Sequence, residues 1–192
     1  MTGSLAYRKN EAAILRGDVP SKYTDLLPYI PGERVIEVGS AEGVLALLLA
    51  KRDKQVTAIE RDEDRHEAAQ ALAERWGMAV GAPRFRCGDV TGHLDLLEGQ
   101  DTLLAVRSIY YLGKGLDALF DAASRLVPNV VLCGNGNRAA RWRQGVSEET
   151  KADNYYASRE GMADVLTRHG YRIVQEGIVN RGDEVVVGRK DV

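Results

Sequence analysis

Residues Val35–Gly43 read VIEVGSAEG, and a second apolar stretch, Val44 to Ala50, follows at once. The first part reads as a strand running through Glu37 to a sharp bend, and the second as the start of a helix. Gly39 supplies the backbone freedom that such a bend needs. Gly43 removes a side chain where backbone or ligand must come close, and Ser40 and Ala41 between the two glycines are small. The next apolar run, Gln55 to Glu60 (QVTAIE), ends in an acid. Strand, tight turn, helix and strand in this order predict the opening βαβ unit of a parallel sheet.

The alternation continues outward. Arg34–Val38 and Gln55–Glu60 are expected strands, with helix over 42–52 between them. Helix over 63–76 puts Ala68, Ala69, Leu72 and Trp76 on one face, and Gly77 stops it. Strands follow at Arg84–Cys87, Thr102–Val106 and Val130–Cys133, with a helix over 115–127 that Pro128 ends. Residues 135–157 read as irregular or partly helical, and Ser158 caps a helix reaching His169. Tyr171–Val179 and Glu184–Arg189, joined by NRGD, form a hairpin pattern. Before the first strand, 5–16 reads as a helix stopped by Gly17, 18–21 as a turn, and 21–30 as a short amphipathic segment. The expected fold is α/β and Rossmann-like. It has a seven-stranded, mostly parallel sheet, helices on both faces and a C-terminal antiparallel hairpin. One domain over 1–192 is expected, with 1–31 as an N-terminal helical lid.

Composition narrows the partners. The 192 residues carry 26 Lys and Arg against 28 Asp and Glu, a formal charge of −2, so no global grip on nucleic acid is expected. The segment MTGSLAYRKN lacks the apolar core of a signal peptide, and the run Val44 to Ala50 is too short to cross a bilayer. A cytoplasmic protein with no membrane partner is the expectation. Cys87 and Cys133 lie in apolar strands and are expected to be buried, reduced core residues. With His66, His93 and His169 scattered, no metal site is expected.

The bend and the two acids after it describe a pocket for an adenosine-bearing cofactor without a pyrophosphate. Free N–H groups after Gly39, at Ser40 and Ala41, favour a carboxylate, and Glu37 suits an ammonium. Glu60, one strand over, can take both ribose hydroxyls. Asp89, in the run RCGDV, can accept from an adenine amino group, with Val90 and Ile59 flanking the ring. An amino-acid head group joined to adenosine is S-adenosylmethionine, which implies methyl transfer. A nicotinamide site would need G-x-G-x-x-G at this turn, and Ala41 occupies the second glycine position. The run Gly134-Asn135-Gly136-Asn137-Arg138-Ala139 fits G-x-G-x-x-A, but no strand ending in an acid follows at the required distance.

These motifs resemble those of the class I S-adenosylmethionine-dependent methyltransferases, over nearly everything from Gly32 onward. Glu37-x-Gly39-x-x-x-Gly43 is similar to their first motif, Glu60 to the ribose-binding acid, and Gly88-Asp89-Val90 to the adenine motif. The resemblance implies a cofactor set of Glu37, Gly39, Ser40, Ala41, Gly43, Glu60, Arg61, Asp89, Val90 and Arg107. Amino-methylating relatives carry [D/N/S]PP[Y/F] after the fourth strand. This chain has Arg107-Ser108-Ile109-Tyr110-Tyr111, which argues against methylation of a base amino group. Magnesium-dependent relatives place an Asp at the strand end, where this chain has Arg107 or Ser108, so no metal is expected.

The acceptor is expected at the carboxyl ends of the strands. Tyr110 and His93 are the catalytic candidates, as base or as neighbours of the sulfonium. Tyr111, Asn135, Arg138 and Arg141 are the acceptor-binding candidates, since Arg forks suit anionic groups. Tyr7, Arg8, Lys9, Lys22 and Tyr23 are placed over the cofactor as a lid. The resulting expectation is metal-independent methylation of an oxygen or nitrogen on a small or medium acceptor, anionic or glycosidic. The alternatives are an RNA methyltransferase, favoured by the basic run Arg138 to Arg143, and a non-catalytic cofactor-binding scaffold.

Overall fold

The structure, a computed structural model, describes residues 14, 16, 18–145, 151–180 and 182–191, with only the backbone of 151–153. The expected helix over 5–16 and the lid residues Tyr7, Arg8 and Lys9 therefore lie outside what is described. Helix α1 (Ser21–Thr24) and a 3-10 turn (Leu27–Tyr29) lead into strand β1 (Arg34–Val38). Then come α2 (Val44–Ala50), β2 (Gln55–Glu60), α3 (Glu63–Arg75), β3 (Arg84–Cys87), a 3-10 stretch (Val90–Leu97) and β4 (Thr102–Val106). A short 3-10 turn (Ile109–Tyr111), α4 (Gly115–Leu126), β5 (Asn129–Cys133), α5 (Gly136–Arg143), α6 (Lys151–Tyr156) and α7 (Arg159–Arg168) precede the hairpin. The hairpin strands are β6 (Arg172–Val179) and β7 (Asp183–Arg189).

The seven strands form one sheet in the order β3-β2-β1-β4-β5-β7-β6. All neighbours are parallel except β7, which pairs antiparallel with both β5 and β6. Alternation along the strands gives the sheet two dry faces. Ile36, Val38, Leu103, Val130 and Val186 point to one face and pack with Leu119 and Phe120 of α4 and Val165 and Leu166 of α7. Val35, Val56, Leu104, Val131 and Val185 point to the other, against Leu45, Leu48 and Leu49 of α2 and Leu26 and Ile30 of the N-terminal segment. Helices therefore cover both faces, as the hydrophobic pattern predicts.

Two expectations need correction, the start of α2 and the burial of Cys87. Helix α2 begins at Val44 rather than 42, because Ala41 and Gly43 hold left-handed backbone (φ 49° and 71°) that no α-helix accommodates. The stretch over 135–157 is partly helical, as expected, and contains α5 and α6. Asn135 starts the first by accepting from the N–H groups of Asn137 and Arg138. Cys87 is exposed, not buried. It ends β3, the edge strand, which has a neighbour on one side only and is exposed along most of its length. Cys133, in central β5, is buried as expected.

Candidate active site

The turn between β1 and α2 is pinned to the end of β2. The N–H groups of Gly39 and Ser40 both donate to the Ile59 carbonyl, at 2.9 and 3.1 Å. The N–H of Ala41 donates to one Glu60 carboxylate oxygen at 2.7 Å, and the N–H of Asp62 donates to the other at 3.0 Å. Glu60 thus holds the bend in shape, with lone pairs left over for a ligand hydroxyl. Gly39 is required twice: its φ is 73°, and a Cβ there would stand 2.4 Å from the Ser108 Cβ. Gly43 has a different task from the one expected. A Cβ there would meet Phe85 and Ala69 at 2.7 and 2.9 Å, so its bareness lets α2 pack on α3 and β3. It is not among the residues lining the cavity that the bend helps to form.

That cavity, of about 580 Å³, opens at the carboxyl ends of β1, β2 and β4. The strand order reverses between β1 and β4, and ligands of open α/β sheets bind at such a point. Its volume is in the range of sites for drug-sized ligands. Glu37 lies in its wall and is 3% exposed. The Ala46 N–H bonds its carboxylate, yet Oε2 has no partner among the described residues. Burial first, and the Glu60 charge second, push the Glu37 carboxyl up to about 8. The Ser40 hydroxyl, also buried and also lining the cavity, has no partner either. Buried polar groups are nearly always satisfied, so two partnerless atoms on residues that line one cavity mark where a polar ligand fits.

The remaining expected cofactor residues converge on the same space. Ile59 and Val90 give it apolar walls, Asp89 sits beside them, and Arg61 stands exposed at the rim. Asp89 accepts from the N–H and hydroxyl of Thr91 at 2.9 and 2.6 Å, which holds its carboxyl below the usual range. Arg107 lines the cavity with a left-handed backbone (φ 54°). Its N–H donates to the Cys133 carbonyl at 2.7 Å, and its guanidinium pairs with buried Asp183. Asp183 also accepts from the Gly136 N–H at 3.1 Å and from the Asn180 amide at 3.3 Å. Part of what was expected of Arg107 toward a ligand is therefore spent on β7.

At the acceptor end, Tyr110 is 4% exposed and Tyr111 is 50% exposed, their ring centres 4.5 Å apart. Burial raises the Tyr110 phenol above its ordinary range, so it stays protonated. The Arg138 guanidinium stacks over both rings, at 4.7 and 5.1 Å, and donates to the Tyr111 hydroxyl at 3.1 Å. Asn135 lines the cavity while capping α5. Arg141 is exposed and does not line the cavity. His93, a catalytic candidate on sequence, is outside the cavity as well. The backbone kinks at His93 (φ −134°), its ring packs against Gly88, and Nε2 lies 3.4 Å from the Cys87 carbonyl oxygen.

Lys22 and Tyr23 of α1 do line the cavity, as the lid expectation placed them. Sequence reasoning missed Glu42, Asp62 and Arg65, which also line it, and Asp183, which anchors Arg107. Glu42 stands inside the quoted bend and was readable there. Asp183 lies 76 positions from Arg107 and left no local signal. The Gly134-to-Ala139 run, which fits a nucleotide loop by pattern, is explained by packing. A Cβ at Gly134 would strike the Ala157 carbonyl oxygen and one at Gly136 the Gly182 carbonyl oxygen, at 1.9 and 2.2 Å. Among the described residues no group of three or more His, Cys, Asp or Glu is arranged to hold a metal ion, and no helix is long and apolar enough to cross a membrane.

Strand order and the position of the cavity are those of the class I methyltransferase fold. Comparison with known proteins agrees. Two protein-L-isoaspartate O-methyltransferases are similar in sequence. The one from Methylorubrum populi is 46% identical over 63 residues, 33% of this chain and 27% of that protein. The one from Methylorubrum extorquens is 36% identical over 99 residues, 50% of this chain and 41% of that protein. The chain thus spans less than half the length of these curated relatives. No family model matches. Among solved structures, a magnesium protoporphyrin IX methyltransferase from Synechocystis with bound SAH superposes with a TM-score of 0.67, at 17% identity over 98% of this chain and 88% of that one. An S-adenosylmethionine-dependent methyltransferase from Clostridium acetobutylicum gives 0.67 at 13% identity, over 97% of this chain and 100% of that one.

Proposed function

We propose that this protein is a metal-independent S-adenosylmethionine-dependent methyltransferase. Its acceptor is a small or medium molecule, anionic or glycosidic, methylated on oxygen or nitrogen. One observation carries the reading: Glu37 and Ser40, whose Oε2 and hydroxyl have no partner among the described residues, line the same cavity as Ile59, Val90 and Asp89. An ammonium satisfies the first, an amino-acid head group occupies the turn, and a flat purine suits the apolar slot. Bound S-adenosylmethionine supplies an activated methyl group on a sulfonium. Structures with S-adenosylmethionine-type ligands among the solved neighbours support the choice of cofactor.

The chain's own residues do the rest. Glu37 holds the head group, Glu60 accepts from the ribose hydroxyls, and Asp89 and Arg61 frame the purine. Tyr110 and Tyr111 border the space beside the sulfur, where a protonated phenol favours a positive centre electrostatically without giving it a charge to react with. Alignment and exclusion of water provide much of the rate of a direct displacement. Of the basic run behind the RNA alternative, Arg143 pairs with Glu160 and Glu184, while Arg138 and Arg141 have no carboxylate partner among the described residues.

Titration calorimetry with S-adenosylhomocysteine tests the proposal. Saturable binding is expected, and Gly39→Arg abolishes it by filling the space before Ser108. Glu60→Ala weakens it at least about ten-fold, through lost charge-assisted hydrogen bonds. No binding at millimolar ligand, or unchanged binding in both variants, overturns the reading.

A further inference from the structure

Basic side chains around the sheet's carboxyl edge are mostly matched with carboxylates. Arg107 pairs with Asp183, Arg143 with Glu160 and Glu184, Arg168 with Asp164 and Arg65 with Asp62. Two others, Arg138 and Lys22, are different. Arg138 is half-buried, and its partners among the described residues are the Tyr110 and Tyr111 rings and the Tyr111 hydroxyl. Among the described residues that leaves most of its five donors without an acceptor. Lys22 lines the cavity, with its ammonium 4.4 Å from the Tyr23 ring centre and no carboxylate in an ion pair with it among the described residues. Glu42 and Asp183 act on Lys22 from a distance, but burial and the Arg107 charge outweigh them and drive its pKa down. An anion arriving here would relieve both cations.

We propose that the acceptor carries a carboxylate, which Arg138, itself outside the cavity lining, holds beside Tyr110 and Tyr111 at the rim, with Lys22 adding positive charge from the cavity wall. This rests on the methyltransferase reading and narrows its acceptor class. A guanidinium fork on two aromatic faces fits a planar carboxylate. A phosphate dianion fits less well, because Glu37, Glu42 and Glu60 line the same cavity. Tyr111, half exposed at the rim, leaves room for the acceptor to project outward.

Benzoate is the probe, with benzyl alcohol, benzylamine and phenyl phosphate as its neutral, cationic and dianionic counterparts. A short end-blocked peptide containing one Asp runs alongside, to separate a free acid from a side-chain carboxylate as the source. Each is titrated into the protein with and without saturating S-adenosylhomocysteine, and binding is followed by ligand-observed NMR and calorimetry. Benzoate or the peptide is expected to bind at least about ten-fold tighter than benzyl alcohol. Arg138→Gln is expected to remove that preference while leaving S-adenosylhomocysteine affinity unchanged, and Lys22→Met, checked by its melting curve, to weaken it separately. Equal binding of benzyl alcohol, tighter binding of phenyl phosphate, an Arg138→Gln protein that still prefers the carboxylate, or no binding of any carboxylate probe overturns the proposal. Failure of S-adenosylhomocysteine to bind strikes the function proposed above instead, since the titrations without it read the acceptor site directly.

Discussion

Glu37 is a side chain whose charge its neighbours decide. In the unfolded chain it titrates in the usual carboxylate range, and in the folded chain at about 8. The folded state therefore keeps a proton that the unfolded state gives up between those two values. Stability falls as pH rises through that window and levels off above it. Ligand binding runs the other way. A cationic head group needs Glu37 ionised, so S-adenosylhomocysteine affinity is expected to rise by up to about ten-fold per pH unit until about pH 8, then flatten. Calorimetry in buffers of different ionisation enthalpy should register proton release below that point, and Glu37→Gln should flatten the profile. A flat wild-type profile removes Glu37 from the head-group site. The position of Glu37 was readable from its place before Gly39, but its protonation was not, because Glu60 and the overlying α2 are brought to it by the fold. His93 teaches the reverse lesson. It follows a motif acid closely in sequence, yet a backbone kink turns its ring away from the cavity.

Between elements, the junction that matters most joins the end of β4 to the β6–β7 hairpin. Asp183, 5% exposed, receives the Arg107 guanidinium, the Gly136 N–H and the Asn180 amide. Asn180 also links to α1: the Ser21 hydroxyl donates to its side-chain oxygen at 3.3 Å, and its N–H donates to Asp25 at 3.3 Å. One carboxylate thus ties β4, α5 and the hairpin together, and Asn180 extends the tie to the segment bearing Lys22 and Tyr23. Asp183→Ala is expected to cost about 2 kcal/mol in urea unfolding, less than a fully buried pair because Arg107 keeps contact with water. Asp183→Asn keeps an acceptor for the Gly136 N–H and is expected to lose less. If Asp183→Ala unfolds at the wild-type midpoint, the junction contributes nothing. Strands and helices were legible from their periodicity, nearly to the residue for β1, β2 and β4. This junction was not, because its members are scattered from Ser21 to Asp183 and carry no common pattern.

For the whole molecule, the sheet order places the cavity where β1 and β4 diverge, with residues from Lys22 to Asn135 around it. A ligand filling it bridges the turn after β1, the ends of β2 and β4, and the N-terminal segment, so it should stabilise them as a unit. At a hundred-fold excess over Kd, S-adenosylhomocysteine is expected to add about 2.7 kcal/mol. For a chain of this size that raises Tm by roughly 5–10 °C. A Tm that does not move with ligand would deny that binding is linked to folding. By itself the sequence determined the α/β class, the bend at Gly39 and the two acids beyond it, because periodicity, glycine freedom and a strand-end carboxylate act locally. The tertiary structure alone decided which buried polar atoms lack partners among the described residues, that Gly43 serves packing, and that Arg138 and Lys22 have no carboxylate paired with them among those residues. Those properties depend on burial and on neighbours that the chain meets only after the sheet has brought distant residues together.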